Sequence, residues 1–407
     1  MEVFDYIILG GGLGGLATAA CLTRQGKRVL VLERHYLPGG CCHTFDYGEY
    51  SFCADVHYIS QCASGHTIAE FLNYIERDID FNSLDPNCID RVITPEVDFK
   101  IPLGWENLRS RLLYEFPEET SAINRYCNTI KHLHQEIHDL VREVHWFDQK
   151  WYNWLKLPKY WHLFLKRNWT LQDLYDRVGL SAKLQAVLAG QSGDYALPPK
   201  EIALLTHTSL VWDYSEGAYY PKHHFRHFVN TIVEAITAGG GVVKLSTPVE
   251  HIQVTEDKIQ SVIADGSVYQ ATYAYISDLD PKLTVQLMHD SQVLSKRELK
   301  RLTDYEYSSS AFNLYLGLDS RFEPENYGIG NWNLWYYPTG NLNAEYEKQL
   351  RGDMSHPWIF LSCPTMKTDE PGIAPRGHHI LEIATVCPYE SFKVLHKTDP
   401  KAYKAKK

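Results

Sequence analysis

Three glycines near the N-terminus, Gly10, Gly12 and Gly15, stand at the spacing G-x-G-x-x-G, with Leu13 and Gly14 filling the last interval. An acid, Glu33, follows 18 residues after Gly15. Residues of these types at this spacing hold the two phosphates and a ribose of a dinucleotide. Gly10 permits a tight turn, Gly12 lets a pyrophosphate approach the backbone, and Gly15 lets a helix pack closely on a sheet. The carboxylate of Glu33 is placed to accept hydrogen bonds from ribose hydroxyls. A second pair, Gly39-Gly40, comes soon after Glu33 and Arg34. A nicotinamide site has no evident need for it. Two glycines allow the chain to double back beside the pyrophosphate where side chains would collide. The planar fork of Arg34 can stack on, or hydrogen-bond, the adenosine half. A longer ligand buried end to end accounts for both features, so FAD is favoured over NAD. A plain loop turn is the other reading of the pair.

The elements that must position these residues read as strand, turn, helix and strand. Tyr6 to Leu9 form a short continuous apolar run, as in a parallel strand buried on both faces. The helix opened by the glycines then points its free N–H groups and positive dipole end at the phosphates. Gly26 is placed to stop that helix, and Arg28 to Leu32 form the second strand. Over 117–145, apolar residues from Ile123 to Val144 recur at helical spacing after Pro117, Glu118 and Glu119, predicting a long amphipathic helix. Phe225 to Ala238 predicts another helix, ended by Gly239-Gly240-Gly241. Val242 to Leu245 resumes a strand, and Thr247 to Asp278 reads as alternating strands with a hairpin at Asp265-Gly266.

A chain of 407 residues is too long for one ordinary core, and about two domains are expected. Apolar content of 44% and charged content of 22% are globular values. A net charge of −10 argues against nucleic acid as a partner. Nine cysteines without a CxxC pair read as reduced thiols in a cytosol-like compartment. The first strand begins at about Asp5, leaving no room for a signal peptide. No run of eighteen apolar residues is present to span a bilayer. The expected location is therefore cytoplasmic, with one qualification. Between Trp146 and Trp169 lie five of the ten tryptophans, interleaved with Lys150, Lys156, Lys159, Lys166 and Arg167. Such a stretch suits peripheral contact with a membrane surface; packing between helices of a substrate domain is the competing reading. His134 and His138, four apart, have the spacing of metal ligands but lack an evident third, so no metal is expected.

The stretch GGGLGGLATAACLTRQGKRVLVLERHYLPGGCCHTF, followed by DVHYIS, resembles the start of the phytoene desaturase, carotenoid isomerase and retinol saturase family of flavoproteins. The resemblance continues through GAYYPKHHFRHFVNTIVEAITAGGGVV and DEPGIAPRGHHILEIATVCPYESF. It implies an α/β fold of amine-oxidase-like architecture. A Rossmann-like FAD-binding domain, a parallel sheet with a β-hairpin insert, would take residues 1–75 and 215–300. An α+β substrate domain would take residues 76–214 and 301–407. The resemblance further implies that the backbone around Val249 meets the adenine and that Ile276-Ser277-Asp278 closes the nucleotide domain. It places Asp55, His57 and Tyr58 close to the flavin. His57 or Tyr58 could exchange a proton with substrate, or only pack against the ring. Cys41-Cys42 is expected to pack near the cofactor rather than do redox work.

The implied chemistry is hydride exchange with a carbon–carbon bond of a lipophilic polyene, a carotenoid or retinoid, with NAD(P)H as a candidate electron source. An amine-oxidase-like flavoenzyme and a non-catalytic lipid-binding relative are the alternatives. Two departures from the family pattern stand out. Lys222-His223-His224 occupies the place of a glycine pair after YYP, and two histidines cannot make the same close turn at equal cost. At the C-terminus, Asp399 and Pro400 read as the start of a short helix. The flavin-closing segment of the family is not evident after it, so the chain is expected to be a C-terminally truncated fragment, for which loss of activity is one outcome.

Overall fold

A computed structural model describes residues 2–143, 159–255, 258–288 and 294–407. The chain divides into two compact units, each assembled from separate pieces of sequence. The first comprises Met1–Asn82, Tyr219–Tyr307 and Thr368–Arg376; the second comprises Ser83–Ala218, Ser308–Lys367 and Gly377–Lys407.

The first unit is built on a six-stranded sheet. Strand β1 (Glu2–Leu9) leads into helix α1 (Leu13–Arg24), and strand β2 (Val29–Leu32) follows. The strand order is Val249–Thr255, Lys258–Ala264, Ser267–Ser277, β1, β2, Val242–Lys244. Strand β1 pairs in parallel with β2 and with Ser267–Ser277, and β2 pairs in parallel with Val242–Lys244. All four residues of β2 are buried, which is why the segment reads as an unbroken apolar run. Phe4, Ile7, Leu9, Leu30, Leu32, Ile252 and Val262 form one apolar cluster across the sheet.

The turns are chemically explicit. Gly26 adopts φ 74° after α1, and Lys27 N–H donates to Leu22 O at 3.1 Å, which stops the helix. Asp265 and Gly266 both have positive φ, 47° and 65°, as a two-residue hairpin turn requires to match the twist of its strands.

One piece of this unit carries no sequence signal. The sequence reading keeps all of 301–407 in the substrate domain, yet Thr368–Arg376 groups with the first unit. Backbone hydrogen bonds anchor it there: Asp369 N–H to Lys222 O at 3.0 Å and Ser51 N–H to Ile373 O at 2.8 Å.

The second unit combines helices with a mixed six-stranded sheet. The strand order is Ser310–Leu318, His379–Cys387, Ile359–Ser362, Asn333–Tyr336, Asp90–Ile93, Asp98–Ile101. Its longest helix runs Thr120–Glu143, with Pro117–Glu119 as a 3-10 lead-in. Ile123, Tyr126, Ile130 and Leu133 are buried along one face, as the helical spacing predicts. Val144, together with the tryptophans at 146, 151 and 154, lies outside the described residues.

Beneath this helix His207 is buried between two tyrosines. Tyr126 Oη lies 3.0 Å from its Nε2 and Tyr195 Oη 3.1 Å from its Nδ1. Burial drives the imidazole pKa down to about 3. The folded chain therefore stays unprotonated here while the unfolded chain binds a proton below its ordinary value of about 6.5. The stability contributed above pH 6.5 is lost as pH falls toward 3, at up to about 1.4 kcal/mol per pH unit. Denaturant unfolding of wild type between about pH 6.5 and 4 should show this slope, and His207→Gln should flatten it by up to that amount. Parallel profiles for the two proteins would contradict the assignment.

Candidate nucleotide-binding site

Strand β1 delivers the chain to Gly10, whose φ of 103° turns it sharply toward α1. Gly10 N–H donates to Leu32 O at 2.9 Å, tying the turn to the end of β2. A Cβ at Gly15 would stand 2.4 Å from Gly10 O, so only glycine lets α1 sit this close to the strand. Gly12 is the N-cap of α1 and makes no side-chain capping bond. The first N–H groups of the helix are thus left for another acceptor. Leu13 is half-buried and Gly14 exposed at this end of the helix.

The second glycine pair packs on the first. Gly39, at φ 113°, donates its N–H to Gly11 O at 2.8 Å and bridges Gly12. A Cβ at Gly40, at φ 58°, would stand 3.0 Å from Gly12 Cα. The pair therefore serves a backbone-on-backbone contact that braces the first glycine loop. Next to it, Cys41 is exposed and Cys42 buried, and all nine cysteines are free thiols. Burial, with the Asp55 carboxylate nearby, pushes the Cys41 thiol up.

Glu33 projects from the end of β2, and backbone donors fix its orientation. Its Oε2 accepts from Gly11 N–H at 2.6 Å and its Oε1 from His35 N–H at 2.7 Å. Each oxygen keeps a lone pair for a hydroxyl donor. Arg34 is exposed. The approach to Val249 runs alongside: Ser246 N–H donates to His35 O at 2.9 Å and Thr247 N–H to Glu33 O at 2.8 Å. Val249, half-buried, then opens its strand. Gly10 to Gly15, Glu33, Gly39-Gly40 and Ser246 to Val249 thus meet at the carboxyl ends of β1 and β2, where open α/β sheets bind ligands.

His57 is half-buried and Tyr58 buried. Ile59, beside them, exchanges backbone hydrogen bonds with Tyr219 at 2.9 and 2.8 Å. That bridge tethers the segment to the strand Tyr219–Pro221, which precedes the helix His224–Ala238. At the head of that helix His224 takes φ 65° and is 1% exposed. A histidine here makes the left-handed turn that glycine makes freely, at a cost on the order of 1–3 kcal/mol. His223 pairs with Glu370 at 3.0 Å and sits edge-on to His227 at 5.5 Å. His134 stacks on Trp212 at 4.2 Å. Among the described residues no group of three or more His, Cys, Asp or Glu could hold a metal ion.

One side chain approaches the cradle more closely than the sequence indicates. Asp278 lies on the glycine loop, and a Cβ at Gly12 would stand 2.7 Å from its Oδ2. Only the folding of the distant Ser267–Ser277 strand beside β1 brings the acid there, so no local signal marks it.

These residues fit a dinucleotide. The cradle is walled by glycines, a helix N-terminus faces it uncapped, and an oriented carboxylate stands where a ribose would lie. If the dinucleotide is FAD, Gly12→Val should abolish its retention, because a branched side chain would fill the cradle and collide with Asp278. Flavin released by acid from the purified variant measures this, and wild-type content would contradict the placement.

Comparison with known proteins agrees. Residues 8–75 match the NAD(P)-binding Rossmann-like domain. All-trans-retinol 13,14-reductase of Danio rerio is 26% identical over 425 residues, covering 96% of this chain and 67% of that protein. The rat, human and macaque proteins of the same name are matched over 43% of their length. Chloroplastic prolycopene isomerase of Arabidopsis thaliana is 23% identical, covering 100% of this chain and 67% of that protein. Putrescine oxidase with bound putrescine superposes with a TM-score of 0.58 at 14% identity, covering 99% of this chain and 80% of that one. The fold is thus α/β, of the kind seen in putrescine oxidase. From its glycine loop to its relatives, the chain is similar to proteins named for retinol reduction, prolycopene isomerisation and diapophytoene desaturation.

Proposed function

We propose that this chain binds FAD and acts on carbon–carbon double bonds of a polyene isoprenoid, a carotenoid or retinoid. The observation that carries the reading is the double-glycine cradle with Glu33 fixed over it, in a chain whose relatives are named for retinol reduction, prolycopene isomerisation and diapophytoene desaturation. FAD, when bound, supplies hydride exchange at its flavin ring. The protein's own residues have other tasks. The N–H groups opening α1 hold the pyrophosphate, and Glu33 orients the ribose through hydroxyl hydrogen bonds. Arg34 covers the adenosine, and the backbone leading to Val249 lines the adenine. His57 or Tyr58 holds a proton for substrate. For reduction, NAD(P)H is the proposed electron source.

Reduction, desaturation and isomerisation share this frame, so the substrate assay must resolve products. The holoprotein should convert retinol or lycopene to a product with an altered double-bond count or geometry, read by chromatography and mass. Turnover of amines with none of either polyene would instead favour the amine-oxidase alternative.

Substrate of this kind partitions into membranes, and we propose that the protein meets it there as a peripheral visitor from the cytoplasm. The short helix Trp161–Lys166 exposes Trp161, Phe164 and Leu165. Arg167 lies over the Phe164 ring at 4.3 Å and Lys166 over Trp169 at 5.3 Å. Apolar rings with adjacent cations suit a headgroup layer. Among the described residues no helix is long and apolar enough to cross a membrane. Trp161→Ser with Phe164→Ser should reduce co-sedimentation with anionic vesicles severalfold, whereas unchanged sedimentation would contradict the contact.

A further inference from the structure

Two acids follow the strand Ser267–Ser277, and they are used differently. Asp280 caps the next helix, accepting from the N–H groups of Lys282 and Leu283. Asp278 caps no helix among the described residues. Its own N–H donates to Leu9 O at 2.8 Å, which fixes the residue at the carboxyl end of β1. From there its carboxylate straddles the first turn of α1: a Cβ at Gly12 would lie 2.7 Å from Oδ2, and one at Gly14 2.7 Å from Oδ1. Among the described residues no donor or cation pairs with this carboxylate. Glu33 is the other acid on the loop, but it is held by Gly11 N–H and His35 N–H.

The space over Gly12, at the positive end of α1, is where a dinucleotide carries its phosphate charge. A carboxylate there opposes that charge directly, and the opposition acts across a few ångströms, within the screening length of ordinary buffers. We propose that Asp278 sets the affinity of the cradle: a fixed negative charge beside the pyrophosphate that keeps the dinucleotide exchangeable. This rests on the FAD reading above and goes beyond it. The first glycine loop and Glu33 provide recognition, and Asp278 limits how tightly recognition holds.

Asp278→Asn removes the charge at nearly constant volume, so it separates electrostatics from space. Apoprotein of wild type and variant is titrated with FAD by flavin fluorescence, and with ADP and adenosine by calorimetry. Asp278→Asn should tighten FAD and ADP roughly tenfold, leave adenosine unchanged, and lose most of its advantage between about 50 mM and about 500 mM salt. Asp278→Ser should show the same ordering of ligands, which guards against a folding defect peculiar to one variant. Equal or weaker FAD and ADP binding by both variants would overturn the proposal. So would an equal gain for adenosine, because phosphate charge would then not be the cause. If wild type and variants all fail to bind FAD and ADP, the dinucleotide reading itself fails and the proposal falls with it. Binding by wild type with no change in the variants overturns only the role of Asp278.

Discussion

Backbone lying directly on backbone is the constraint from which the first unit follows. Gly15 passes so close to Gly10 O that no Cβ fits between them, and Gly40, at φ 58°, rests on Gly12 with a Cβ position only 3.0 Å from its Cα. These contacts bring the N-terminus of α1 to the carboxyl ends of β1 and β2 with its N–H groups unspent. A larger residue at either contact would push the helix or the second loop outward. The positive end of the helix would then turn away from Glu33 and the second glycine pair, and the dipole is effective only within about its first turn. Geometry here precedes chemistry.

Charge is then distributed around that helix end. Glu33 faces the loop with both oxygens already oriented by N–H donors, so the proposed ribose would meet a carboxylate that need not reorganise. Asp278 faces the same loop with no partner among the described residues. In the proposed reading these two acids pull in opposite directions: one would recognise the sugar, the other would disfavour the phosphates. The second unit places charge differently. Asp90 is fully buried, accepts from Gln191 at 2.6 Å and Trp335 at 3.0 Å, and has its carboxyl pushed up to about 6 by burial. Lys367, also buried, is driven down to about 8 by the same cause and donates to Ser362 and Asn333. Removing one member of such a set leaves an uncompensated buried charge, which makes it a constraint on the sheet.

Much of the first unit is legible in the sequence because its signals are local. Glycine spacing, the apolar run of β2, Gly26 after α1 and Asp265-Gly266 at the hairpin each act on residues a few positions away. The 24-residue helix Thr120–Glu143 is legible for the same reason, through its buried stripe. What escapes the sequence depends on distant pairing. Thr368–Arg376 joins the first unit through hydrogen bonds to Lys222 and Ser51. Asp278 reaches Gly12 only because its strand lies beside β1. The second glycine pair was legible as a close approach, but its partner was not: it packs on the first loop's backbone. His224 was legible as a departure from glycine, and the structure supplies the consequence, a buried histidine held at φ 65°.

The central claim is that the first forty or so residues form a cradle for the nucleotide half of a flavin. The visible absorption spectrum of the purified protein, before and after incubation with FAD and removal of excess, tests it most directly. The account predicts a yellow protein with the two flavin bands and close to one bound FAD per chain at saturation. A protein that stays colourless, takes up no FAD and retains NAD instead would contradict it.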